Sequence, residues 1–141
     1  MDEKSKLSSN ELILAMTGKQ NTITFYQQLV TMTQDRRNRD LICTIRNDEI
    51  SHFKSFMDLY RKLFNKSPVL PPVKRVVLHS FEEGLNSAVI DELDASNFYR
   101  DLYLNNCNPF IKKIFFKSFT DETSHAIKNN YMLAKFYKNR P

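Results

Sequence analysis

Apolar residues recur at helical spacing in four blocks along this chain, and polar residues fill the positions between them. Leu12, Met16, Ile23, Tyr26, Leu29 and Val30 share one face of a first predicted helix. Ser8 with Glu11 three residues on forms a capping box at its start. Ile42, Ile45, Glu49, His52, Phe53, Phe56, Leu59, Tyr60 and Leu63 share a face of a second. The stretch NKSPVLPPV (65–73) then breaks the pattern, because its prolines remove donors and fix φ. Leu85, Ala88, Val89, Glu92, Ala95, Phe98, Tyr99 and Leu102 form the face of a third helix. NNCNP (105–109) reads as a turn, with Pro109 suited to the first position of a fourth helix running from about 110 toward 136. Asp35 and Asn108 are candidate caps for the second and fourth helices. Each helix is expected to hold roughly 25 residues, a length of about 38 Å.

The halves repeat. An offset of 73 residues carries DEISH (48–52) onto DETSH (121–125), Phe25-Tyr26 onto Phe98-Tyr99, Leu29 onto Leu102 and Asp35 onto Asn108, with no gap. Self-similarity at one offset marks a duplicated unit, here a helical hairpin. The expected fold is all-α: an antiparallel four-helix bundle of two duplicated hairpins, about 10–65 and 80–138. A connection at about 66–79 joins them within a single 1–141 domain. Two Gly and five Pro in 141 residues agree, since few positions can turn.

The repeated phrase carries the chemistry. Residues i and i+3 on a helix lie about 60° apart, so Glu49 and His52 face one way, as do Glu122 and His125. Residues equidistant from a hairpin turn sit side by side. With turns centred near Gln34 and Cys107, Glu49 is level with Lys19, and Glu122 is level with Glu92. One hairpin thus offers Glu92, Glu122 and His125 at one height; the other offers Lys19, Glu49 and His52. Tyr26 and Tyr99 lie two turns beyond Lys19 and Glu92 on the same faces.

This arrangement resembles the ferritin-like superfamily, especially short rubrerythrin-like bacterial proteins, from about residue 10 to 136. Those proteins take a Glu from each of two helices and Glu-x-x-His from each of the other two. The resemblance implies a di-iron or di-manganese centre whose ligands here are Glu49, His52, Glu92, Glu122 and His125, with Glu49 and Glu122 bridging. It implies iron storage, Fe(II) oxidation or peroxide reduction, and so an oxidoreductase of ferroxidase or peroxidase type. Lys19 departs from the pattern, because the family has Glu there. An ammonium beside these carboxylates competes with a cation, so fewer than two tightly held ions are expected. Tyr26 and Tyr99 are expected to hydrogen-bond the ligands or to act as amphipathic core residues. The alternative is a metal-free degenerate bundle acting as a structural or interaction protein, in which Lys19 pairs with Glu49 or Glu122.

Charge and cysteines narrow the partners. The net charge of +5 is scattered, and its densest run, DRRNRD (35–40), reads as a solvated helix start; no nucleic-acid partner is expected. Cys43 and Cys107 form no C-x-x-C pair, which excludes a rubredoxin-type relay within these residues. A peroxidase would therefore draw electrons from a separate donor. A reducing, cytoplasmic setting is expected. The N-terminal MDEKSKLSSN lacks the pattern of a signal peptide, and no run approaches a membrane span. Phe110, Phe115, Phe116 and Phe119 exceed what one core face needs, which suggests contact with a second copy in a homodimer. His79 is expected at the surface or in a capping role.

Overall fold

A computed structural model describes residues 7–141. The expectation for the extreme N-terminus falls largely on residues 1–6, outside the described residues. Four α-helices are present, and no strand occurs among the described residues: α1 Ser9–Leu29, α2 Arg36–Phe64, α3 Phe81–Leu104 and α4 Pro109–Lys138. A 3₁₀ turn, Val30–Met32, follows α1. The chain divides into two compact units, Leu7–Val77 with α1 and α2, and Leu78–Pro141 with α3 and α4. No helix among the described residues is long and apolar enough to cross a membrane.

The caps explain where each helix begins. Ser8 Oγ accepts from Glu11 N at 3.1 Å, and Glu11 Oε1 accepts from Ser8 N at 2.9 Å, which completes the capping box. Asp35 Oδ1 accepts from Asn38 N at 2.9 Å. Asn108 Oδ1 accepts from Phe110 N and Ile111 N at 3.0 and 3.2 Å, with Pro109 at the first position, where no donor is required. Ser80, which the sequence reading did not single out, caps α3 through Glu83 N at 3.1 Å.

The end of α2 differs in cause from the expectation. The helix stops at Phe64 because Asn65 takes the left-handed conformation, φ 54°, and its N–H returns to Arg61 O at 2.9 Å. Pro68, Pro71 and Pro72 come later and keep the following segment from resuming a helix. Lys74 N, on that segment, donates to Asn21 Oδ1 of α1 at 2.9 Å.

Each unit buries most of the stripe that its spacing predicts; Leu63, near the end of α2, is instead exposed, and Ile23, Val30, Phe53, Val89, Ala95 and Phe98 are half-buried at the edges of their faces. In Leu7–Val77 the core is Leu12, Met16, Tyr26 and Leu29 of α1 against Ile42, Ile45, Phe56 and Leu59 of α2. In Leu78–Pro141 it is Leu85, Ala88, Tyr99 and Leu102 of α3 against Ile111, Phe115, Ala126 and Met132 of α4. The Tyr99 and Phe115 rings stack, with centroids 6.1 Å apart and planes inclined by 12°. Polar contacts also join the two helices of the second unit. Lys112 Nζ donates to Tyr103 O at 3.1 Å, and Ser96 Oγ donates to Phe119 O at 3.1 Å. Tyr137 Oη donates to Glu82 Oε1 at 2.6 Å.

The phenylalanine stripe of α4 splits as successive helical residues must. Phe115 is buried, while Phe110 and Phe116 are 54% and 49% exposed. Phe116, Phe119 and Tyr103 form an edge-on cluster, with Lys112 Nζ 4.1 Å from the Tyr103 ring centre.

Candidate metal centre

In the first unit, α2 places Glu49 and His52 three residues apart on its buried face. Glu49 is fully buried and His52 is 3% exposed. His52 Nδ1 lies 3.7 Å from Glu49 Oε1. Lys19, on α1, is level with them as the turn geometry requires. Its Nζ donates to Glu49 Oε2 at 2.6 Å, with both side chains almost wholly excluded from solvent. This half therefore holds two potential ligands and a lysine ammonium. Burying an ion pair of this kind needs close geometry to offset desolvation, and 2.6 Å provides it.

In the second unit, α4 places Glu122 and His125 in the equivalent positions, and α3 supplies Glu92 instead of a lysine. Glu92, Glu122 and His125 are buried, at 3%, 1% and 0% exposure. His125 Nδ1 lies 3.5 Å from Glu92 Oε2 and 3.8 Å from Glu122 Oε1. One ligand atom from each of the three lies within 4.8 Å of the others. These separations exceed a charge-assisted hydrogen bond of about 2.7–2.9 Å. They match atoms that share one ion. Ligands bound at about 2.1 Å stand about 3.0 to 4.2 Å apart for angles between 90° and 180°.

The donor set is also chemically apt. Two carboxylates supply hard oxygen and negative charge, and one imidazole suits Fe(II), Mn(II) or Zn(II). Crowding two carboxylates away from water is costly unless positive charge offsets it. Asp91, next to Glu92 in the chain, lies on the exposed side of α3, outside the donor set. Partial desolvation, and then the charge of Asp94, hold its carboxyl above the usual range.

The remaining expected residues fall as follows. Tyr26 and Tyr99 are buried, at 1% and 3%, each edge-on to the preceding Phe with ring centres 5.2 and 5.4 Å apart. Cys43 and Cys107 are free thiols, half-buried and exposed respectively. His79 is exposed, just before the cap of α3. Ser118 and Asn129 of α4, at 1% and 0% exposure, are buried polar residues that the sequence reading did not single out, as are Thr33, Asn38 and Asn106. The signal was available in the repeat, because the 73-residue offset sets Ser118 against Ile45 and Asn129 against Phe56.

Fold and site together define an all-α protein of two helical units, the second carrying a buried Glu-Glu-His cluster. No protein-family profile matches the chain. The chain is 29% identical over 119 residues to the uncharacterized protein YhjR of Bacillus subtilis, covering 84% of this chain and 81% of that one. Among solved structures, a hypothetical protein from Pyrococcus furiosus matches with a TM-score of 0.80 at 18% identity, over 88% of this chain and 86% of the other. A conserved hypothetical protein from Mycobacterium tuberculosis matches with a TM-score of 0.77 at 13% identity, over 88% and 95%. These two likenesses concern the fold alone.

Proposed function

We infer that this chain is a metal-binding protein of ferritin-like type: an antiparallel bundle of two duplicated hairpins holding iron or manganese on carboxylates and imidazole. The observation that carries the reading is the second-unit cluster, in which three buried side chains of ligating type bring donor atoms within 4.8 Å of one another. Glu92, Glu122 and His125 are the ligands in this reading. Glu49, the carboxylate that the repeated motif offers in the first unit, already pairs with Lys19. His52, whose neighbouring Glu49 already pairs with Lys19, is the weakest of the five expected ligands.

A bound Fe(II) or Mn(II) would supply Lewis acidity and, for iron, one-electron redox chemistry. The chain's own contribution is to fix the ligands in rotamers locked by helix packing, to keep bulk water out, and to balance the cation's charge. The activities that suit this arrangement are Fe(II) oxidation and peroxide reduction. The second draws electrons from a separate donor, because no C-x-x-C pair is present in these residues.

The test is elemental analysis of protein purified without chelator, followed by Mn(II) and Fe(II) titration. Iron or manganese near one per chain is expected, together with loss of tight binding in His125→Ala by more than about 100-fold. That exceeds the loss usual for a residue that only supports a ligand. Absence of bound metal, with no uptake at millimolar Mn(II), would sink the reading in favour of a metal-free structural or interaction protein. Anomalous scattering across the iron and manganese edges would report identity, number and position together.

A further inference from the structure

The 73-residue offset pairs each buried position of one unit with a position of the other. Around the repeated Glu and His, most pairs keep their type: Tyr26 with Tyr99, Leu12 with Leu85, Leu29 with Leu102. Near the motif three pairs buried in both units do not; a fourth, Asn38 opposite Ile111, lies eleven residues before the repeated Glu. Lys19 stands opposite Glu92, Ile45 opposite Ser118, and Phe56 opposite Asn129. Positions 45 and 118 lie one helical turn before the repeated Glu. Positions 56 and 129 lie one turn after the repeated His. All fall on the same stripe of their helices. The unit with the lysine thus has apolar residues on both flanks, and the unit with Glu92 in its place has polar ones.

The two environments suit different cations. An ammonium on a tethered stem brings no water and needs only a carboxylate, which Glu49 supplies at 2.6 Å. Ile45 and Phe56, both fully buried, stand on the stripe of α2 to either side of Glu49 and His52. A divalent ion held by three side chains keeps part of its water shell, and those waters need hydrogen-bond partners. Ser118 Oγ donates to Ile114 O at 2.9 Å, which spends its one proton and leaves acceptor capacity on the hydroxyl. Asn129 brings a carboxamide, with both donors and an acceptor, one turn beyond His125.

We propose that the duplicated half-sites have divided their roles. The unit of α3 and α4 takes one hydrated divalent cation of hard or borderline type, with Ser118 and Asn129 as the polar lining that serves its waters. The unit of α1 and α2 is closed to metal, because the Lys19 ammonium is its resident cation. This rests on the metal-binding reading above and adds to it a stoichiometry, a side and two positioning residues.

The experiment uses the full chain, stripped of metal and titrated with Mn(II). Bound metal is counted by equilibrium dialysis and elemental analysis, and examined by electron paramagnetic resonance. Wild type is expected to hold one Mn(II) per chain, with the signal of an isolated ion rather than an exchange-coupled pair. Ser118→Ile with Asn129→Phe, which gives the second unit the flanks of the first, should weaken binding by at least about 10-fold, as losses of supporting partners do. Lys19→Glu with Phe56→Asn should raise the count to two per chain. Circular dichroism checks that each variant is folded. Two Mn(II) per folded wild-type chain would overturn the proposal while leaving the metal-binding reading intact. No Mn(II) at all would overturn both. A folded Ser118→Ile, Asn129→Phe variant with undiminished affinity, or a folded Lys19→Glu, Phe56→Asn variant still at one metal, would also overturn it. If neither variant folds, the wild-type count and its resonance still decide.

Discussion

Removing the ammonium from the first half-site should cost stability in a way that geometry lets us estimate. Lys19→Met keeps the unbranched stem and its packing but deletes the charge. At 2.6 Å and an effective dielectric near 20, the Lys19–Glu49 attraction is about 6 kcal/mol. Desolvation of the two ions offsets part of this, and losing one partner of a buried pair typically costs about 3–5 kcal/mol. For a chain of this size, that corresponds to a fall in melting temperature of about 10–17 °C. Adding Glu49→Leu should recover most of the loss, because an apolar pair of similar volume replaces a buried ion pair at little cost. The assay is urea unfolding of wild type, single and double variants at pH 7 in excess chelator, so that metal binding does not contribute. Raising the salt from 0.05 to 0.5 M should leave the differences nearly unchanged, since a pair this buried is weakly screened. A loss under about 1 kcal/mol for Lys19→Met, or a double variant no more stable than the single, would refute the reasoning.

Three further outcomes are expected. Gly18→Ala, at an exposed position within α1 where an added Cβ meets nothing within 4 Å, should stabilise the fold by up to about 1 kcal/mol in the same assay. Phe115→Ala removes a fully buried ring stacked on Tyr99 and should cost about 3–5 kcal/mol, with no change in far-ultraviolet helix signal below the transition. Ser8→Ala deletes the side-chain acceptor of the α1 capping box and should cost about 1 kcal/mol; amide exchange is expected to accelerate at Glu11 and Leu12 while α3 and α4 stay unaffected.

Much of this protein is legible in local chemistry. The stripes of Leu12 to Leu29 and Ile42 to Tyr60 have a helical period, so their burial follows from the period alone. Ser8, Asp35 and Asn108 cap helices because their short oxygen-bearing side chains satisfy donors within three residues. The repeat made Glu49, His52, Glu122 and His125 visible as partners, and turn symmetry put Lys19 level with Glu49. What the sequence left open depends on atoms far apart along the chain. Nothing local says that Lys19 gives its proton-bearing nitrogen to Glu49 rather than turning to solvent; only the packing of α1 on α2 brings Nζ to 2.6 Å and seals the pair. Asn65 was hidden behind three prolines, because a left-handed φ is a property of backbone geometry and not of composition. The repeat sets Ser118 and Asn129 against apolar Ile45 and Phe56, but only the packing of their unit shows that they are buried on the face of Glu122 and His125. Their meaning is tertiary, because burial is what makes the placement of a hydroxyl or carboxamide costly, and therefore informative.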